Sequence, residues 1–281
     1  MTITTRTVEA NGFRFAVDEA GEGDHLALCL HGFPESRFSW RFQLPLLAEM
    51  GYRVWAPDLR GYGETEPKPR DVADYAMERL MEDVAALIDA SGARRVTLIG
   101  HDWGAGLAWS FAINRRRPLE RLVIMNVPHP AVMVAHLRRS WAQLRKSWYM
   151  FFFQLPLAPE RVVMRPDFLR RAMKGTAAHP ERFDDDALDA IQRVVQSPGS
   201  PRAALAYYRA AFRWPRVADG IVRGPTLVVW GEKDHALGTS LLDDLERYVQ
   251  HVLVHPIPDA SHWVQQDAPE EVSDTLLTFL G

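Results

Sequence analysis

The chain has 281 residues, 47% of them hydrophobic and 25% charged, which excludes a disordered or collagen-like polymer and supplies a large core without disulfide or metal staples. Its 33 Lys+Arg against 36 Asp+Glu leave a formal net charge of -3, without the clustered positive excess of a general nucleic-acid binder. A single cysteine, Cys29, excludes a disulfide framework and a cysteine-based zinc site.

The start of the chain, Met1 to Arg6, lacks an apolar core with a small-residue cleavage site, and no run of about eighteen apolar residues follows. We therefore expect a cytoplasmic protein in a reducing compartment, with no integral membrane segment. Short apolar or β-branched runs predict strands at Phe13 to Val17, Leu26 to Leu30, Tyr52 to Ala56, Val96 to Ile99, Leu122 to Met125, Thr226 to Trp230 and Val252 to Pro256. Between them, Leu80, Val84, Leu87 and Ile88 share one face of a helix over Met77 to Ala90. Leu242, Leu245 and Val249 predict another helix over Leu241 to Val249. This alternation is the signature of an α/β fold with a mainly parallel, doubly wound sheet.

Between residues 131 and 216 the alternation stops, and Trp, Phe, Tyr and Arg crowd helix-like segments. We expect an inserted helical cap there, with the core formed by residues 1–130 and 217–281. The cap holds 15 Lys+Arg against 7 Asp+Glu, leaving 18 against 29 for the rest, so a basic cap sits on an acidic core. Two readings of the cap arginines stay open. They cover solvated helix faces, with their stems over aromatic surface, or they meet an anionic membrane or substrate. No internal repeat or low-complexity tract interrupts the chain.

The window Val96 to Gly106 reads as a strand entering a Gly-flanked sharp turn and a small-residue helix, with Gly100-His101-Asp102-Trp103-Gly104 at the turn. This is the nucleophile-elbow pattern with Asp102 where a serine hydrolase places Ser. The blander alternative is Asp102 as a helix N-cap. A hydrolytic triad on this fold runs nucleophile, acid, histidine in chain order. Asp234, after the strand ending at Trp230, and His262, in the loop after the strand ending at Pro256, meet that order. Ten histidines make any one weak support, and His31, His101 and His129 are expected in turns where backbone hydrogen bonding accounts for them.

A carboxylate attacking an ester carbonyl would form a high-energy anhydride, whereas attack on a saturated carbon forms a stable alkyl ester. The expected target is thus an sp³ carbon bearing a leaving group. His262, oriented by Asp234, would activate the water that hydrolyses the ester. The oxyanion that then develops needs two donors, expected to be the backbone N–H groups of Trp103 and of Phe33 in the His31-Gly32-Phe33-Pro34 turn.

Taken together, these windows resemble the α/β-hydrolase-fold epoxide hydrolases of the soluble, cap-domain type. Asp58-Leu59-Arg60-Gly61-Tyr62-Gly63 and Asn126-Val127-Pro128-His129-Pro130 extend the resemblance over nearly the whole chain. It implies a cis Phe33–Pro34 bond that aims the Phe33 N–H. It also implies two cap tyrosines that protonate the epoxide oxygen, placed at Tyr149 within Ser147 to Pro156 and Tyr208 within Ala204 to Arg209. The blander alternative for each is an aromatic packing residue. Ala206 departs from the Asn often found in the second segment, and Tyr207 is expected to pack elsewhere. No cofactor or metal is implied; the partners are a small apolar epoxide and water, and a homodimer stays open.

We assign His31, Pro34, Phe152 and Trp263 to the pocket wall, and expect Phe33, Trp103, Phe151 and Trp214 to favour an apolar or aryl substituent nearby. Haloalkane dehalogenases share the Asp nucleophile and the Trp after it; that reading needs a cap donor such as Trp141 or Trp148. Fluoroacetate dehalogenases carry Arg where Trp103 stands. A ligand-binding protein of this fold would leave the triad idle, and a serine esterase would need Ser at position 102.

Overall fold

The computed structural model describes residues 2–215 and 219–281. Eight strands form one sheet: β1 Thr4–Ala10, β2 Phe13–Ala20, β3 His25–Leu30, β4 Arg53–Pro57, β5 Arg95–His101, β6 Arg121–Met125, β7 Val222–Gly231 and β8 Val249–Ile257. Their order is β1-β2-β4-β3-β5-β6-β7-β8, antiparallel at the β1, β2 and β4 edge and parallel from β4 onward. The doubly wound α/β architecture is therefore the one the alternation predicts.

Side-chain alternation divides the apolar residues between the two faces. On β3, Leu26, Leu28 and Leu30 join the cluster under α2 (Met77–Ser91) and α3 (Trp103–Ile113), while Ala27 and Cys29 join the one under α1 (Gln43–Glu49). These central residues are fully buried, and each large one contributes about 1.5–3 kcal/mol of burial. Burial also pushes the Cys29 thiol far above its ordinary value, so it behaves as a small hydrophobe.

Two local expectations need correction. No strand was anticipated before Phe13, yet β1 pairs with β2 through a turn in which Asn11 and Gly12 both have positive φ, the geometry of a tight hairpin. The helix expected over Leu241 to Val249 is instead two short 3₁₀ turns, Thr239–Leu242 and Leu245–Arg247, before Val249 opens β8. Asp244, at φ +62°, breaks the helix, while Leu241, Leu245 and Val249 still face the core.

Between β6 and β7 the described residues contain no strand but seven helices: α4 Pro130–Arg139, α5 Trp141–Lys146, α6 Trp148–Phe152, α7 Ala158–Val163, α8 Phe168–Met173, α9 Asp185–Val195 and α10 Ser200–Arg213. The boundary expected at 216/217 lies outside the described residues. After β8 come α11 Val264–Asp267 and α12 Pro269–Leu280, the latter packing on the α1 face. Among the described residues no helix is long and apolar enough to cross a membrane.

Candidate active site

The carboxyl ends of β3, β5, β7 and β8 converge on one point above the sheet, where open α/β folds bind ligands. Asp102 sits there at φ +48° and ψ -121°, between β5 and α3, with no side-chain capping bond. The N-cap alternative thus falls away, and the strained turn lifts the carboxylate clear of the helix. Two glycines make room. A Cβ on Gly32 would overlap the Asp102 carboxylate, and one on Gly104 would overlap the Leu30 carbonyl.

The Phe33 N–H donates to Asp102 Oδ1 at 2.6 Å, and the Phe33–Pro34 bond is cis. Trp103 is the first residue of α3, so its N–H has no intrahelical acceptor. On the other side of the carboxylate, His262 Nε2 lies 3.5 Å from Asp102 Oδ2, and His262 Nδ1 donates to Asp234 Oδ2 at 2.7 Å.

Asp234 is deeply buried, and its acceptor sites are filled. The Ala236 and Leu237 N–H groups donate to Oδ1 at 2.7 and 2.8 Å, and Asn126 Nδ2 donates to Oδ2 at 3.0 Å. Burial alone would raise its carboxyl, but the His262 charge and these hydrogen bonds hold it below the ordinary value. Conversely, burial would lower the His262 imidazole, and the carboxylates of Asp234 and Asp102 override that and raise it well above 6.5.

Tyr149 of α6 and Tyr208 of α10 approach from the helical insertion with ring centroids 6.1 Å apart, edge to face. The Tyr208 ring packs on Trp103 at 4.9 Å and on Phe33 at 5.7 Å. For both phenols burial, and then the Asp102 charge, raise the pKa, so both keep their protons at neutral pH. Tyr207 points away: its hydroxyl donates to the Arg60 carbonyl at 2.9 Å.

The remaining predicted pocket residues divide. Pro34 is buried beside Phe33, and Trp263 packs edge to face on His262, its indole N–H donating to Thr176 Oγ1 at 2.9 Å. Phe152 is half-buried with its ring against Phe153 and Trp148. His31 instead braces the turn from beneath. Nδ1 donates to the Gly32 carbonyl and Nε2 accepts from Leu59 N–H, which defines a neutral ring whose pKa burial lowers. Phe151 and Trp214, expected near the substrate, are about half exposed and outside the site.

Several contributors escaped the sequence reading. His101 does not rest in a turn on backbone bonds alone; it closes β5, fully buried, with Nδ1 2.7 Å from Glu35 Oε2 and Nε2 2.8 Å from the His262 carbonyl. The ring thereby bridges the Glu35 carboxylate and the loop that carries His262. Glu35 also accepts from Gln265 and Gln266; burial opposes its ionisation, but His101 holds it below the ordinary value. Its position directly after the His-Gly-Phe-Pro turn was the available signal.

The insertion is stitched to the loops that carry Asp234 and His262. Gln143 Nε2 donates to the Ala236 carbonyl at 2.8 Å and Lys146 Nζ to the Asp234 carbonyl at 3.0 Å. Across the site, Asp267 accepts from the Ala178 and His179 N–H groups of the insertion and from Ser261 N–H beside His262.

Comparison with known proteins is consistent with this geometry. The α/β-hydrolase fold family matches residues 28–269. Epoxide hydrolase 3 of Xenopus tropicalis is 38% identical over 96% of this chain and 75% of its own length, and human epoxide hydrolase 4 is 36% identical over 97% and 77%. This chain belongs to the α/β-hydrolase-fold epoxide hydrolase family. Among solved structures, a variant of a Bacillus megaterium epoxide hydrolase with its product, (R)-3-[1]naphthyloxy-propane-1,2-diol, aligns at TM-score 0.88 and 30% identity, covering 98% of this chain and 99% of that one. The chain is an enzyme of the hydrolase type common to these relatives.

Proposed function

We propose that this enzyme hydrolyses an epoxide to a vicinal diol through a covalent ester on Asp102, with helices α4 to α10 as the cap over the site. A carboxylate oxygen of Asp102 attacks an oxirane carbon and breaks its C–O bond. The electron pair goes to the epoxide oxygen, which takes a proton from Tyr149 or Tyr208. The buried phenols stay protonated until that negative charge develops, which is what an acid for this step needs.

Esterification removes the charge of Asp102 and with it one of the attractions that raise His262. The imidazole becomes a better base at the step that needs one, with the fixed carboxylate of Asp234 behind it. Water, losing a proton to His262, attacks the ester carbonyl, and the oxyanion takes hydrogen bonds from Phe33 and Trp103 N–H. Collapse breaks the bond between the acyl carbon and the diol oxygen, which takes the proton held by His262; the second proton of the water returns to the tyrosinate, and the diol leaves with Asp102 again a carboxylate.

The observation that carries this reading is the pair of tyrosines facing a carboxylate nucleophile across an aromatic-walled space. The dehalogenase alternative needs a cap tryptophan donor, but Trp141 and Trp148 are 80% and 64% exposed, on the outside of the cap. The aromatic wall of Phe33, Trp103, Phe153 and Tyr208 suits an aryl-substituted epoxide, in keeping with the aryloxy diol of the Bacillus relative.

Peptide mass spectrometry of His262→Gln after exposure to an aryl epoxide, an alkyl epoxide and a bromoalkane tests it. A hydroxyalkyl adduct on Asp102 from an epoxide is the expected result. An alkyl adduct with halide release from the bromoalkane alone would move the assignment to a dehalogenase, and turnover at the unmodified enzyme's rate would remove His262 from the mechanism.

A further inference from the structure

The outer surface of the cap carries a feature that the chemistry above does not use. Helices α5 and α6 run into one another, with Ser147 N–H donating to the Gln143 carbonyl at 2.9 Å, and they are amphipathic in an inverted sense. The inner positions, Gln143 and Ser147, are polar, buried and hydrogen-bonded to one another. The outer positions are Trp141, Arg145 and Trp148, all exposed to solvent.

The apolar surface extends beyond the tryptophans. Trp148 lies tilted against Phe152 with ring centroids 6.1 Å apart, and Phe151, 49% exposed, meets the exposed ring of Phe212 on α10 at 5.5 Å. Arg209 of α10 donates to the Phe153 and Leu155 carbonyls, which ties the end of α6 to α10 behind this surface. An exposed patch of this kind marks a surface that meets something apolar.

The charge around the patch selects the occupant. Residues 131–159 contain Arg138, Arg139, Arg145 and Lys146 and no Asp or Glu. The three arginines are exposed and form no ion pair among the described residues, whereas Arg37, Arg60 and Arg117 of the core are paired with carboxylates. Two copies docked through this face would oppose two basic surfaces. An anionic bilayer would accept both the tryptophans, whose amphipathic rings suit the lipid–water boundary, and the unpaired guanidinium groups. The acidic remainder of the molecule, 18 Lys+Arg against 29 Asp+Glu, would be repelled by that same surface, so the two ends together orient the protein.

We propose that the outer face of α5 and α6 docks the enzyme peripherally on anionic phospholipid membranes, with Trp141 and Trp148 entering the interface and Arg138, Arg139 and Arg145 meeting lipid phosphates. Tyr149 lies on α6 directly after Trp148, so docking sets the roof of the active site against the bilayer. The binding itself does not depend on which epoxide is used.

Flotation of the full-length protein with vesicles of phosphatidylcholine alone, and of phosphatidylcholine with phosphatidylglycerol in equal parts, tests the proposal. The unmodified protein is expected to float with the anionic vesicles only, and to be released by high salt. Each arginine changed to glutamine should weaken binding about fivefold, and the Trp141→Ala/Trp148→Ala pair by at least about tenfold. Circular dichroism melting of the same variants separates these losses from misfolding, since all five side chains are on the surface.

Absence of flotation with either vesicle, or equal flotation of protein and variants, would overturn the proposal. So would a dimer in sedimentation velocity that the tryptophan variant dissociates while no lipid is bound, which would assign the face to a second copy. Because binding is read without turnover, these results stand whether or not the epoxide reading holds.

Discussion

The sheet edge and the cap hold their functional groups by different means. Asp102, Asp234 and His262 are fixed by backbone donors and glycine crossings: Phe33 N–H on one carboxylate, Ala236 and Leu237 N–H on the other. Tyr149 and Tyr208 are positioned largely by ring contacts with Phe153, Phe33 and Trp103. Hydrogen bonds define a position sharply, whereas aromatic packing defines a surface and tolerates adjustment. In the proposed mechanism the nucleophile and base therefore occupy the more sharply defined part of the site, and substrate shape is read on the side of the tyrosines.

Five experiments test that contrast. The largest effect is expected for Tyr149→Phe combined with Tyr208→Phe, which removes both proton donors and should lower the rate of ester formation about 10³-fold in stopped-flow fluorescence. Each single variant should lose much less, because the other phenol can still donate. Gly32→Ala should cost about 10²-fold in kcat, since the new methyl group displaces the Asp102 carboxylate, with little change in melting temperature. A wild-type rate for that variant would show that the sheet edge is less rigid than described.

Asn126→Ala removes a donor to Asp234 and should slow ester hydrolysis about tenfold while leaving ester formation unchanged. The pH dependence of that step carries its own signature. His262 in the free enzyme is raised by two carboxylates, so single-turnover hydrolysis of the ester should follow a histidine of lower pKa than titration of the free enzyme reports.

The smallest effect on chemistry and the clearest on stability is expected for Glu35→Gln, which leaves His101 without its carboxylate. A loss of about 3 kcal/mol in urea unfolding is expected. The Glu35 pKa is lowered in the fold, so its contribution is complete above the ordinary 4.5 and is lost as the pH falls further. The variant should therefore show a flatter acid limb below about pH 4.5.

The same contrast explains what could be read in advance. The parallel strands were legible because each is a short apolar run, and Asp102, Asp234 and His262 could be picked out because each follows a strand in the required order. β1 escaped because only Val8 and Ala10 of its seven residues are buried, which gives little hydrophobic signal; Asn11-Gly12 was its one strong mark. The helix expected near Leu245 failed because periodicity records which side chains face inward, and two 3₁₀ turns satisfy that as well as one helix. Phe151 and Trp214 were misplaced because composition cannot tell an aromatic residue lining a cavity from one facing water. Glu35, Asn126 and Asp267 act through contacts distant in sequence: the turn before Glu35 and the Asn-Val-Pro window at Asn126 mark their neighbourhoods but not their partners, and nothing local announces Asp267.

Asp267 has a further consequence. One carboxylate takes hydrogen bonds from the Ala178 and His179 N–H groups of the cap and from Ser261 next to His262. On the opposite side Gln143 and Lys146 tie α5 to the loop of Asp234. The cap is therefore not a cassette that can be exchanged between relatives at its two chain crossings. A transplanted cap that rebuilds the aromatic wall but lacks these four attachments would deliver a substrate to a base and an acid loop that have lost their outer scaffolding.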